Sequence, residues 1–194
     1  MDVVSEGSAG LQYLVFVGTL SWNKGPQFLM DAMCRVAAEF PQTCLALIGD
    51  GPLRTNLESQ AERLRISGQV QFVGKIPHGQ TTCWYQKAAV CVIPSLFETF
   101  SMVACEAMLH SLPIVASRRG ALPELVVDGE TGYLVEPTDS QAVAVAILRL
   151  LHNPDEARWM GRNGYDRAQQ LYRMDTYLKN LADVVRFAKC QARK

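Results

Sequence analysis

The chain has 194 residues, enough to bury the core of one domain or slightly more. Hydrophobic residues make up 48% and charged residues 20%, an ordinary globular balance, and no run of about 18 apolar residues offers a membrane span. Nineteen basic and nineteen acidic side chains cancel, which excludes an overall field that would recruit nucleic acid or an anionic membrane.

The first ten residues, MDVVSEGSAG, are polar, small and acidic, unlike a secretory leader. Tyr13 to Val17 is a five-residue apolar run that stops at Gly18, a strand pattern. A helix is predicted over 24–39, with Phe28, Leu29, Ala32, Met33, Val36 and Ala37 on one stripe and Pro41 as its stop. Cys44 to Ile48 is the second strand, ended by Gly49-Asp50-Gly51-Pro52, and a helix over 53–66 follows. Val70 to Val73 is a short third strand, 79–87 a short helix, and Ala89 to Ile93 a fourth strand closed by Pro94-Ser95. An apolar helix begins after Ser101, and strands are predicted at 113–116 and 132–135. The rest reads as helix over 140–151, 155–171 and 174 to about 189, with Pro154 separating the first two.

Short apolar strands alternating with helices indicate a Rossmann-like α/β fold, a parallel sheet of about six strands covered on both faces, with extra helices at the C-terminus. Ligands of such sheets bind outside the carboxyl ends of the strands. That rule selects the loops 18–24, 49–54, 74–79 and 95–101, all of which combine glycine, proline or small residues with one or two polar ones. Gly18 and Gly49 are also compatible with simple strand ends, and Gly49-Asp50-Gly51 lacks the spacing of a dinucleotide fingerprint.

The most informative segment is ETFSMVACE, in which Glu98 and Glu106 stand eight positions apart. The helix after Ser101 is apolar nearly all round and Glu106 is its one charge, so this carboxylate needs a partner or a ligand. A distant arginine or a backbone turn would satisfy it structurally, and a ligand hydroxyl would do so functionally. Ser101 is a candidate N-cap that would leave the N–H groups of Met102 and Val103 free. Lys24, at the predicted start of the first helix, is either solvated or placed to hold a phosphate together with helix N–H groups.

Six cysteines (Cys34, Cys44, Cys83, Cys91, Cys105 and Cys190) show no CxxC pair and no metal-ligand spacing with the three histidines. They read as reduced core residues of a cytoplasmic protein, and His78, His110 and His152 as structural or surface groups.

The segments FVGTLSWNKG, LALIGDGPLRTNLE, VQFVGKIP, AAVCVIPSLFETFSMVACEAM, PIVASRRGALPELVVDGETGYLVEP and AVAILRLLHNP, in that order, resemble the C-terminal, donor-binding domain of a GT-B glycosyltransferase of family 4, the group 1 type. The resemblance covers 13–171, and implies a linker remnant at 1–12 and a C-terminal helix with a basic tail at 172–194. It implies one half of a GT-B enzyme, a retaining, metal-independent hexosyltransferase of polysaccharide biosynthesis that needs no cofactor and takes a UDP-, GDP- or ADP-sugar. The acceptor, a glycan or lipid-linked molecule, would be held by an N-terminal domain not among these residues, so that this chain alone would bind donor without transferring sugar.

By the same resemblance, Glu106 closes an E-x7-E motif and would bind the ribose hydroxyls, while Glu98 would contact the transferred sugar. The backbone at Phe100, Ser101, Met102 and Val103 would hold phosphate and sugar oxygens. Lys24 would neutralise the departing diphosphate, and Gly18, Thr19, Gly49, Asp50, Gly51, Lys75 and Ile76 would border base, ribose and phosphate. Thr19 stands where the family commonly has arginine, with Arg118 or Arg119 as candidate substitutes, and Ser101 stands where glycine is frequent. A GT-B nucleotide-sugar epimerase and a non-catalytic nucleotide- or partner-binding module are the alternatives. The basic segment 186–194 reads as a frayed terminus or a peripheral membrane contact.

Overall fold

Strands made of consecutive apolar residues must be covered on both faces, and the computed structural model, which describes residues 12–171, shows this arrangement. Six parallel strands, β1 (Gln12–Val17), β2 (Thr43–Ile48), β3 (Val70–Gly74), β4 (Ala88–Ile93), β5 (Ile114–Ser117) and β6 (Gly132–Val135), lie in the order β3-β2-β1-β4-β5-β6. The expected Rossmann-like fold is the one observed. The expected linker and the C-terminal helix with its basic tail lie outside the described residues, apart from Gln12.

Alternation along each strand divides the core in two. Leu14, Phe16, Leu47, Val90 and Val92 pack beneath α1 (Pro26–Glu39) and α6 (Ser140–His152), which supply Leu29, Met33, Val143 and Ile147. Val15, Ile48, Cys91, Ile93 and Ile114 point the other way, against Tyr85 of α3 (Thr81–Lys87) and Ala104, Ala107 and Met108 of α4 (Met102–Leu109). The 18-residue α7 (Pro154–Leu171) joins the layers, placing Met160 in the first core and Ala168 in the second. Its Gly161 lies so close to the carbonyl of Ser111 that a Cβ would sit 1.9 Å from the oxygen.

Four expectations are corrected. The first long helix starts at Pro26, not at Lys24, because Gly25 takes the left-handed conformation (φ 71°) and separates α1 from a one-turn 3₁₀ segment, Trp22–Lys24. The second helix is shorter than 53–66: α2 spans Arg54–Arg63, and Ser67–Gln69 forms a separate 3₁₀ turn. A short helix, α5 (Leu122–Leu125), has no counterpart among the expected elements, since four residues carry no period. Finally, the apolar composition of α4 predicts a helix buried all round, but Met102 is 60% and Leu109 46% exposed, so one side of it faces solvent.

Candidate functional site

The strand order reverses between β1 and β4, and the crevice outside their carboxyl ends is where this fold holds ligands. Gly25 brings the two exit loops together, since a Cβ there would lie 2.0 Å from the carbonyl oxygen of Pro94. The Leu96 N–H donates to the Asn23 carbonyl at 2.8 Å across the same junction. Lys24 Nζ therefore reaches Glu98 Oε2 at 2.8 Å, although the two are 74 positions apart. Ser95 Oγ donates to the same oxygen at 3.4 Å, and the Ala121 N–H to the Glu98 carbonyl at 2.9 Å. With its side chain 12% exposed, Glu98 is a held carboxylate.

On the other side of β1, main-chain bonds zip three loops together. The Gly18 N–H donates to Ile48, the Leu20 N–H to Asp50 and the Gly49 N–H to Gly74, at 2.9, 3.0 and 2.9 Å. Glycine is required at position 49, where φ is 133° and a Cβ would meet the Gly18 oxygen at 1.9 Å. The zipped loops floor an open cleft of about 790 Å3 lined by Gly18, Thr19, Gly49, Asp50, Lys75 and Ile76, all site residues expected from the sequence. His78 and Thr81 also line it.

Glu106 is not part of this lining but meets it through His78. Its Oε2 accepts a hydrogen bond from the Tyr85 hydroxyl at 2.9 Å, and its Oε1 lies 3.4 Å from His78 Nε2. Among the described residues no lysine or arginine pairs with it. Tyr85 is 1% exposed, and burial, reinforced by Cys91 and Glu106, pushes its phenol far above the ordinary range. It therefore remains a donor. Sequence reasoning misses both partners: Tyr85 has the look of a core aromatic, and His78 that of a surface group.

The other expected residues fall outside the cleft lining. Gly51 is folded against Leu20, with room for no Cβ (2.6 Å from the Leu20 oxygen), and its N–H donates to Asp50 Oδ1 at 2.8 Å. Ser101 caps α4, its Oγ accepting from the Ala104 N–H at 3.3 Å. Met102 and Val103 then open the helix with N–H groups that have no acceptor within it. Phe100 precedes the cap and is 46% exposed. Lys24 is the last residue of its 3₁₀ turn, a position that favours a cation, rather than the first of a helix. Both candidate substitutes for the family's arginine are held in exposed ion pairs. Arg118 is bound to Asp128 (2.7 Å) and the Leu134 carbonyl (2.9 Å), and Arg119 to Glu136 (2.7 Å).

Among the described residues no group of three His, Cys, Asp or Glu side chains could hold a metal ion, and no helix is long and apolar enough to cross a membrane. Cys91 and Cys105 are buried as expected, but Cys83 is exposed.

Known proteins share this architecture and sequence. Glycogen synthase of Mycobacterium tuberculosis is 31% identical over 176 residues, 91% of this chain and 42% of that protein. Sucrose-phosphate synthase of Thermosynechococcus elongatus superposes with a TM-score of 0.83 at 34% identity, covering 95% of this chain and 47% of its own. Anabaena HepE, solved in complex with UDP-glucose, superposes with a TM-score of 0.82 at 26% identity, covering 91% and 49%. The chain thus spans less than half the length of the curated relatives it matches. The family described as Glycosyl transferases group 1 matches residues 5–167, and this chain belongs to it.

Proposed function

We propose that this chain is the donor-binding half of a retaining glycosyltransferase and holds a nucleoside diphosphate sugar in the cleft at the carboxyl ends of β1, β2 and β3, with its diphosphate reaching toward the loop after β4. The observation that carries the reading is Glu106, a carboxylate with one oxygen fixed by Tyr85 and the other 3.4 Å from His78, a residue of the cleft lining. Ribose hydroxyls are the donors that would complete it. The glycine-lined floor admits a base or ribose against backbone, and the relative HepE has been solved with UDP-glucose, which favours a UDP-sugar.

The diphosphate would meet the N-terminus of α4, where the N–H groups of Met102 and Val103 and the helix dipole favour negative charge. Lys24 stands ready with its ammonium, which Glu98 holds in place. As the sugar–phosphate bond breaks, charge grows on the leaving diphosphate, and these groups stabilise it without a metal. Glu98 would bind a sugar hydroxyl, its Oε2 being held by Lys24 and Ser95. The acceptor hydroxyl then enters on the face from which the diphosphate departs, giving up its proton to an oxygen of that leaving diphosphate, with retention of configuration. The acceptor, a glycan or a lipid-linked molecule, would be held by a second wall outside these residues, and without it the chain binds donor but transfers no sugar.

The test is thermal stabilisation by UDP, GDP, ADP and their sugars, with Glu106→Ala alongside. At ten times Kd a ligand adds about 1.4 kcal/mol, a rise of roughly 3–6 °C for a domain of this size. A shift with one nucleotide that disappears in the variant is expected. No shift with any of them at millimolar concentration overturns the reading.

A further inference from the structure

We propose that Tyr85 is a positioning residue for nucleotide binding: its buried hydroxyl fixes one oxygen of Glu106 so that the other stays beside His78 of the cleft lining. The proposal rests on the reading of Glu106 as the ribose ligand.

A carboxylate at the end of a glutamate side chain turns easily, because its last torsion is broad and two-fold. Glu106 has the further difficulty of standing on a helix with no other charge. A donor on a rigid group removes that freedom. Tyr85 is such a group, 1% exposed and packed in the core shared by Cys91 and Met108. Its ring stacks on His110, with centroids 5.3 Å apart and planes 21° off parallel. Phenylalanine would fill the same space. What tyrosine adds is the hydroxyl, and that hydroxyl donates to Glu106 Oε2 at 2.9 Å.

The helix that carries Tyr85 also carries part of the cleft wall. Thr81, the first residue of α3, lines the cleft and donates its Oγ1 hydrogen to the His78 carbonyl at 2.6 Å. One turn later the same helix delivers Tyr85 to Glu106. The wall and the carboxylate are therefore held in register by a single seven-residue element. His78, 81% exposed and 3.4 Å from Glu106 Oε1, marks the side from which a ribose would approach.

The experiment is calorimetric binding of UDP, GDP and ADP, each beside its 2′,3′-dideoxy counterpart. Wild type, Tyr85→Phe, Glu106→Ala and the double variant are compared. Tyr85→Phe is expected to weaken binding of the preferred ribonucleotide about tenfold, the scale of one well-placed hydrogen bond to a charge, and to leave its dideoxy counterpart unchanged. The double variant should bind no more weakly than Glu106→Ala. Equal weakening of both nucleotides would show a merely structural role and overturn the proposal. So would an unchanged Tyr85→Phe beside a weakened Glu106→Ala. An unchanged Glu106→Ala overturns the ribose reading instead, as does a wild type that binds none of the six. If Tyr85→Phe folds poorly, 4-fluorophenylalanine at position 85 keeps the volume without the donor and gives the same readout.

Discussion

Among the described residues, two glutamates accept a hydrogen bond from a tyrosine hydroxyl, and the fate of their remaining oxygen differs. Glu156 Oε1 receives Tyr133 at 2.7 Å, and Arg149 closes the pair through Nη2 to Oε1 (2.7 Å) and Nε to Oε2 (3.3 Å). The same guanidinium lies over the Tyr133 ring, 4.8 Å from its centroid. Both oxygens of Glu156 are used, and Arg149 with Tyr133 holds its carboxyl below the ordinary range. Burial and Glu156 push the Tyr133 phenol up to about 12. Glu106 has a tyrosine but no arginine or lysine among the described residues, and its second oxygen meets only an exposed histidine at 3.4 Å. One pair is saturated and ties α7 to β6 and α6. The other is left incomplete beside a residue of the cleft lining. A carboxylate that the protein has half satisfied is a better sign of binding than one that is simply buried.

The comparison can be broken by closing the open pair. His78→Arg places a guanidinium where Glu106 Oε1 faces outward, making Glu106 resemble Glu156. Affinity for the uncharged nucleoside, measured so that diphosphate attraction does not enter, should fall about tenfold. An unchanged nucleoside affinity would mean that this oxygen is not the ribose contact.

Opening the closed pair should act on stability alone. Tyr133→Phe removes a hydrogen bond worth about 1 kcal/mol and is expected to lower Tm by roughly 2–4 °C, with nucleotide affinity unchanged. A loss of affinity in this variant would erase the distinction between the two pairs.

The smallest effect is on acid stability. Burial alone would raise Asp128, but the Leu134 N–H and Arg118 outweigh it and its carboxyl is lowered, as is that of Glu156. Carboxyls lowered by folding contribute fully above their unfolded values, about 4, and lose that contribution as pH falls through the folded ones. Tm should therefore decline from about pH 5 downward, and Asp128→Asn should make the decline shallower. Exposure of Asp128, 42% by side chain, keeps the effect small.

The sheet is readable in the sequence because its strands are continuous apolar runs, which have few other uses in a globular chain. Six of the cleft residues are readable as well, from glycines at strand ends and from the family resemblance. Helix α5 is not, since four residues show no period, and the start of α1 is misplaced by two residues because the left-handed turn at Gly25 separates Lys24 from the helix that Pro26 opens. Distance along the chain hides the partners of Glu106. Nothing local distinguishes Tyr85 from any other core aromatic, and its role emerges only when α3 is folded against α4, 21 positions later. The carboxylate partners of Arg118 and Arg119, Asp128 and Glu136, are likewise hidden, because charge can be counted in a sequence while its pairing cannot be located.

Helix α7 has a consequence for how the molecule comes apart. A parallel sheet separates its two apolar layers, and in principle either could melt first. Met160 and Ala168 belong to different layers, yet they lie on one continuous helix whose Gly161 is pressed against the Ser111 backbone. Losing α7 would remove packing from both layers at once, which couples the half of the core beneath α1 to the half that supports Glu106.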